Sequence, residues 1–89
     1  MIESGRKFLE RSLRDYQIWA TLDGYFIQYS PNISTLNGIL VRNGIISEDV
    51  KNIGEITPIP NQEDAIQKIC EQLNGKEMVR LMNLLGEII

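Results

Sequence analysis

Eighty-nine residues, 43% hydrophobic and 24% charged, are enough for one domain with one core. With 9 basic and 12 acidic residues, no histidine and one cysteine, the chain excludes an intrachain disulfide, a Cys/His zinc set and histidine-based catalysis. It shows no apolar run of bilayer length and no leader-type opening, so the expected location is cytoplasmic and reducing, with no membrane contact.

From the N-terminus, Ser4 can cap a helix running to about Arg14, with Phe8, Leu9 and Leu13 on one stripe and the basic residues on another. Residues 16–30, YQIWATLDGYFIQYS, admit two readings. Tyr16, Ile18, Ala20 and Leu22 alternate, Asp23-Gly24 fits a two-residue turn, and Tyr25, Ile27 and Tyr29 alternate again, as a hairpin would. Yet Leu9, Leu13, Tyr16, Trp19, Leu22, Phe26 and Tyr29 recur every three to four residues, as a helix would. A hairpin needs a further strand or a covering helix, and the stretch 54–60 is the only other strand candidate in this reading. Helix, broken near Asp23-Gly24, is therefore the preferred reading.

Ser30-Pro31-Asn32 reads as a turn. Leu36, Ile39 and Leu40 then share a helical face, Asn43-Gly44 supplies a left-handed stop, and Ile45 and Ile46 turn inward. Ser47 can cap a second short helix with Glu48 and Asp49 in its first turn and Val50 and Ile53 on its apolar side. Two prolines make Ile56-Thr57-Pro58-Ile59-Pro60 an extended connection anchored by Ile56 and Ile59. Asn61 caps the next helix, with Glu63 and Asp64 in its first turn and Ile66, Ile69, Cys70 and Leu73 on its buried face. Asn74-Gly75 stops it, and Lys76 begins a last helix with Met78, Leu81, Met82, Leu85 and Ile88 inward. The expected fold is mainly α, a small antiparallel bundle of five to six helices spanning 1–89. The alternative is an α+β fold with a hairpin at 16–30. Its core is expected at Leu36, Leu40, Ile53, Ile66, Ile69, Leu73, Leu81 and Leu85.

No catalytic, metal-binding or cofactor-binding constellation stands out. Glu48-Asp49 and Glu63-Asp64 are adjacent pairs whose side chains diverge on a helix, and the helix dipole accounts for acids in a first turn. Cys70 falls on a buried stripe, as a small core residue does. A helix-turn-helix DNA reader is disfavoured, because its recognition helix would begin Ser47-Glu48-Asp49, with carboxylates where phosphates are met. Nucleic-acid binding is accordingly not expected. Charge, however, is segregated: residues 1–15 sum to +1 and residues 16–89 to −4. Opposite charges on separate faces are compatible with head-to-tail association.

The run Leu36, Ile39-Leu40, Asn43-Gly44-Ile45-Ile46-Ser47-Glu48-Asp49 and Ile53 resembles the second and third helices of caspase-recruitment domains, members of the death-fold superfamily. Segments 61–73 and 75–88 are similar to that family's fourth and fifth helices. Residues 16–30 have no counterpart there, the Pro58/Pro60 connection is long, and a sixth helix is missing. The resemblance implies a non-enzymatic adaptor that binds a like domain, or itself, through oppositely charged faces. Arg6, Lys7, Arg11 and Arg14 would form the basic side, and Glu48 and Asp49 the acidic side, with Glu55 a weaker contributor. The alternative is a small regulatory or inhibitor protein of phage or plasmid type.

Overall fold

A computed structural model of the chain describes residues 2–29, 37–47 and 55–88, with only the backbone described at 2–4, 87 and 88. The described elements are α1 (Ile2–Leu13), β1 (Gln17–Ala20), β2 (Tyr25–Gln28), β3 (Gly38–Arg42), β4 (Ile45–Ser47), β5 (Thr57–Pro58), α2 (Gln62–Gln72) and α3 (Gly75–Ile88). Five strands form one antiparallel sheet in the order β4-β3-β2-β1-β5. The fold is therefore α+β, and the expected five-to-six-helix bundle, with the death-fold architecture that the resemblance implies, is not what the chain forms.

The difference begins at residues 17–28. They form the hairpin that the helical reading set aside, with Ile18 opposite Ile27 and Trp19 opposite Phe26. Its loop spans four residues, 21–24, rather than the expected two. Thr21 closes it: its N–H donates to the Gly24 carbonyl at 3.0 Å, and its Oγ1 accepts from the N–H groups of Asp23 at 3.2 Å and Gly24 at 2.9 Å. Gly24 is needed for close approach, since a Cβ there would run into the Val41 carbonyl of β3.

Where a helix was expected from Leu36 to the Asn43-Gly44 stop, the described residues Gly38–Arg42 form β3, paired with β2 on one side and β4 on the other. A central strand buried on both faces needs a continuous apolar run, and Ile39-Leu40-Val41 supplies it. Asn43 and Gly44 do adopt positive φ (48° and 80°), but as a two-residue hairpin turn of type I′ with Arg42 opposite Ile45. β4 then sends Ile46 inward and leaves Ile45 67% exposed, so only one of that pair plugs the core. Ser47 closes β4, and the helix expected over Glu48–Ile53 falls outside the described residues, as does Leu36. Pro58 lies in the short edge strand β5, a position where a missing N–H is tolerated.

Alternation along the strands gives the sheet two different faces. Ile18, Ile27, Ile39, Val41 and Ile46 face the helices and join Leu9, Leu13, Ile66, Ile69, Cys70, Leu73, Leu81, Leu84 and Leu85 in one core. Each fully buried aliphatic side chain there contributes roughly 1.5–3 kcal/mol. The reverse face holds Phe26 and Leu40, both buried, opposite one another across β2 and β3. The Phe26 ring lies where a Cβ of Gly38 would sit, so the glycine makes room for the aromatic. Beside them Trp19 Nε1 donates to Gln28 Oε1 at 2.7 Å, while the buried Gln28 Nε2 has no partner among the described residues.

In the helix layer α1 packs against both α2 and α3. Tyr16 Oη donates to the Leu85 carbonyl at 3.3 Å, and Gln62 Nε2 donates to the Tyr16 carbonyl at 2.8 Å, so one residue ties the end of α1 to both other helices. α3 starts on a capping box: Asn74 Oδ1 accepts from the Glu77 N–H, and Glu77 Oε1 accepts from the Asn74 N–H, each at 2.9 Å. Asn61, expected to cap α2, makes no such bond to the backbone and donates from Nδ2 to Asp64 Oδ2 at 3.1 Å.

Candidate protein-interaction surface

The four basic residues of α1 and the turn that follows it divide into two pairs. Arg6 Nε donates to Glu10 Oε1 at 3.0 Å, one helical turn on. Arg14 makes a two-pronged contact with Glu63 of α2, Nε to Oε1 at 2.8 Å and Nη2 to Oε2 at 3.1 Å, and this hydrogen-bonded partner raises the Arg14 pKa above its ordinary value. Both arginines are thus engaged within the fold. Lys7 and Arg11, four residues apart on the side of α1 opposite Leu9 and Leu13, are exposed and form no ion pair among the described residues. Phe8 stands next to them, 58% exposed, and is not on the buried stripe where the sequence suggested it would be.

The neighbouring helix α3 repeats the arrangement. Lys76 and Arg80, again four apart, are exposed and form no ion pair among the described residues, and Val79 is 51% exposed between them. Lys76, Val79 and Arg80 were not singled out from the sequence. They lie opposite Leu81 and Leu85 in the same helical period that marks the core, so the signal was present. Together α1 and α3 present four cations and two large apolar side chains in a chain of net charge −3.

The acidic half of the expected contact is not assembled by the described residues. Glu48 and Asp49 lie outside them, and Glu55 is exposed on the connection into β5, at the sheet edge rather than on a helix. Among the described residues the exposed carboxylates of the helices are Glu63, Asp64 and Glu71, all on α2.

Other features carry less chemistry. A cleft of about 200 Å³ between α1 and α2 is lined by Arg6, Glu10, Glu63, Ile66 and Gln67, of which Arg6, Glu10 and Glu63 already belong to ion pairs. A second, of about 280 Å³, is lined by Tyr25, Ile59, Pro60, Asn61, Asp64, Ala65 and Lys68. Both are small for a ligand site. At the turn end of the sheet Arg42 Nη2 meets Asp23 Oδ2 at 3.3 Å, with Leu22 86% exposed in the adjacent loop. Burial pushes the Cys70 thiol up to about 11, which keeps it protonated and unreactive at neutral pH. Among the described residues no three His, Cys, Asp or Glu side chains gather as metal ligands, and no helix is long and apolar enough to cross a membrane.

Comparison of the chain with protein-family models, with curated proteins and with solved structures finds no match.

Proposed function

We propose that this chain is a non-enzymatic protein-interaction module whose outward α1/α3 face docks an acidic surface of a protein partner. One observation carries the reading: Lys7 and Arg11 on α1, with Lys76 and Arg80 on α3, stand exposed beside Phe8 and Val79 on two helices packed side by side. Cations steer an acidic partner and set its register, while apolar side chains supply contact area. The net charge of −3 argues against a nucleic acid as the target, because a polyanion would meet repulsion from the rest of the molecule. An adaptor and a small inhibitor would both use such a contact; they differ in what the partner loses. A reducing, cytoplasmic setting suits a lone buried thiol.

The experiment is a nuclear magnetic resonance titration of the labelled chain with poly-L-glutamate at low salt, with a short DNA duplex in parallel. Shifts are expected at Lys7, Phe8, Arg11, Lys76, Val79 and Arg80, fading as salt is raised. The double variant Lys7→Glu/Arg11→Glu should bind roughly tenfold more weakly, about 1.4 kcal/mol. No perturbation by poly-L-glutamate, or stronger binding to the duplex at about 150 mM salt, defeats the reading. Sedimentation of the chain alone at rising concentration identifies the case in which the acidic partner is a second copy.

A further inference from the structure

We propose that the docked element is an acidic amphipathic helix lying along the seam between α1 and α3, an inference that rests on the protein-interaction function above. The hydrogen bond from Tyr16 to the Leu85 carbonyl fixes the end of α1 beside the C-terminal half of α3. Helical periodicity then assigns the residues on either side of the seam. On α1, Leu9 and Leu13 face the core, while Arg6 and Glu10 turn toward α2, where they share a cleft with Glu63, the partner of Arg14 just past the end of α1. That leaves Phe8 on the α3 side and Lys7 and Arg11 pointing straight out. On α3, Leu81 and Leu85 face the core, and Glu77 turns toward the β3–β4 turn, coming within 3.1 Å of where a Cβ of Gly44 would lie. Met82 is then on the α1 side, half-buried against the core, with Lys76 and Val79 outward.

The seam therefore has an apolar floor, Phe8 and Met82, flanked by the exposed Lys7 and Arg11 on α1 and by Val79 and then Lys76 on α3, while Arg80, about 160° round α3 from Met82, lies on the Glu77 side. A helix suits it better than a strand for a physical reason. A docking strand gains affinity by hydrogen bonding to an open sheet edge, whereas the backbone groups of α1 and α3 are satisfied within their own turns. What two packed helices offer is a groove between ridges, and apolar anchors spaced i, i+3, i+4 and i+7 on a third helix fill such a groove. An unbranched methionine adapts to the anchor that meets it. The described side chains on the outward face of the two helices include no carboxylate, so the flanks of the docked helix are acidic.

The test uses the full chain and two synthetic peptides of about 18 residues, roughly 27 Å if helical. Both contain the same leucines and glutamates. In one the leucines form a helical stripe, and in the other they are scattered. The striped peptide is expected to bind at least about tenfold more tightly than its isomer, a gap of about 1.4 kcal/mol. It should perturb Phe8, Val79 and Met82 and gain helical circular dichroism on binding. The double variant Phe8→Ala/Val79→Ala should bring the striped peptide down to the affinity of its isomer. Both positions are more than half exposed, so the variant keeps its fold. Equal affinity for the two isomers overturns the helix inference alone. Loss of poly-L-glutamate binding by the native chain overturns the basic-face reading beneath it.

Discussion

Asn43-Gly44 and Asn74-Gly75 are the same dipeptide placed after an apolar segment, and they serve opposite ends. At 43–44 both residues take positive φ, the chain reverses in two residues, and β4 returns beside β3. At 74–75 neither φ is positive; Asn74 caps α3, and Gly75 is the first residue of that helix. The neighbours decide between the two. Three residues after Asn74 comes Glu77, whose carboxylate reaches back to the Asn74 N–H. Three residues after Asn43 comes Ile46, which has nothing to offer a helix terminus and packs opposite Val41. Asn-Gly permits a left-handed backbone without requiring one, and the following turn of sequence makes the choice.

That contrast predicts a graded series of substitutions. The largest effect belongs to Gly44→Ala, which forces a side chain into left-handed φ at a cost of about 1–2 kcal/mol. The new methyl also crowds Glu77 Oε2 at 3.1 Å and the Gln72 carbonyl at 3.4 Å. Thermal unfolding should fall by roughly 4–8 °C per kcal/mol in a domain of this size. Next comes Asn74→Ala, which removes the cap of α3 and should cost about 1 kcal/mol in urea denaturation. Glu77→Gln should retain most of that stability, because glutamine can make the same return bond. Smallest, and of opposite sign, is Gly75→Ala. Nothing lies within 4 Å of the added Cβ, and φ is not left-handed there, so a gain of about 0.4–1 kcal/mol is expected. Should Gly44→Ala and Gly75→Ala shift the midpoint in the same direction, the two joints are not the different structures described above.

The same joints show which parts of the fold could be read in advance. Ile66, Ile69, Leu73, Leu81 and Leu85 were legible as core because α2 and α3 follow a long helical period, and all five are buried. Leu40 was expected in the core and is buried, though on the reverse face of a sheet rather than in a bundle. The strand Gly38–Arg42 was illegible as such, because three consecutive apolar residues satisfy a helical face as easily as a central strand. Mistaking it had a further cost. The hairpin at 17–28 was weighed with the stretch 54–60 as its only further strand; β5 in that stretch does pair with β1, and β3 is the partner on the other side that was missed. Of the candidate surface, Lys7 and Arg11 were legible from local spacing. The diversion of Arg14 was not, since Glu63 lies 49 residues away and only the folded packing of α1 on α2 brings them together.

Trp19 is the only tryptophan, and its indole N–H is held by Gln28 on the side of the sheet away from the helices. Its fluorescence therefore watches one side of the molecule, while ellipticity at helical wavelengths watches the other. The two optical channels divide along the sheet itself. Followed through one denaturant titration, coincident curves would mean that both layers melt as one cooperative unit, and displaced curves that the sheet outlasts its helices or yields before them.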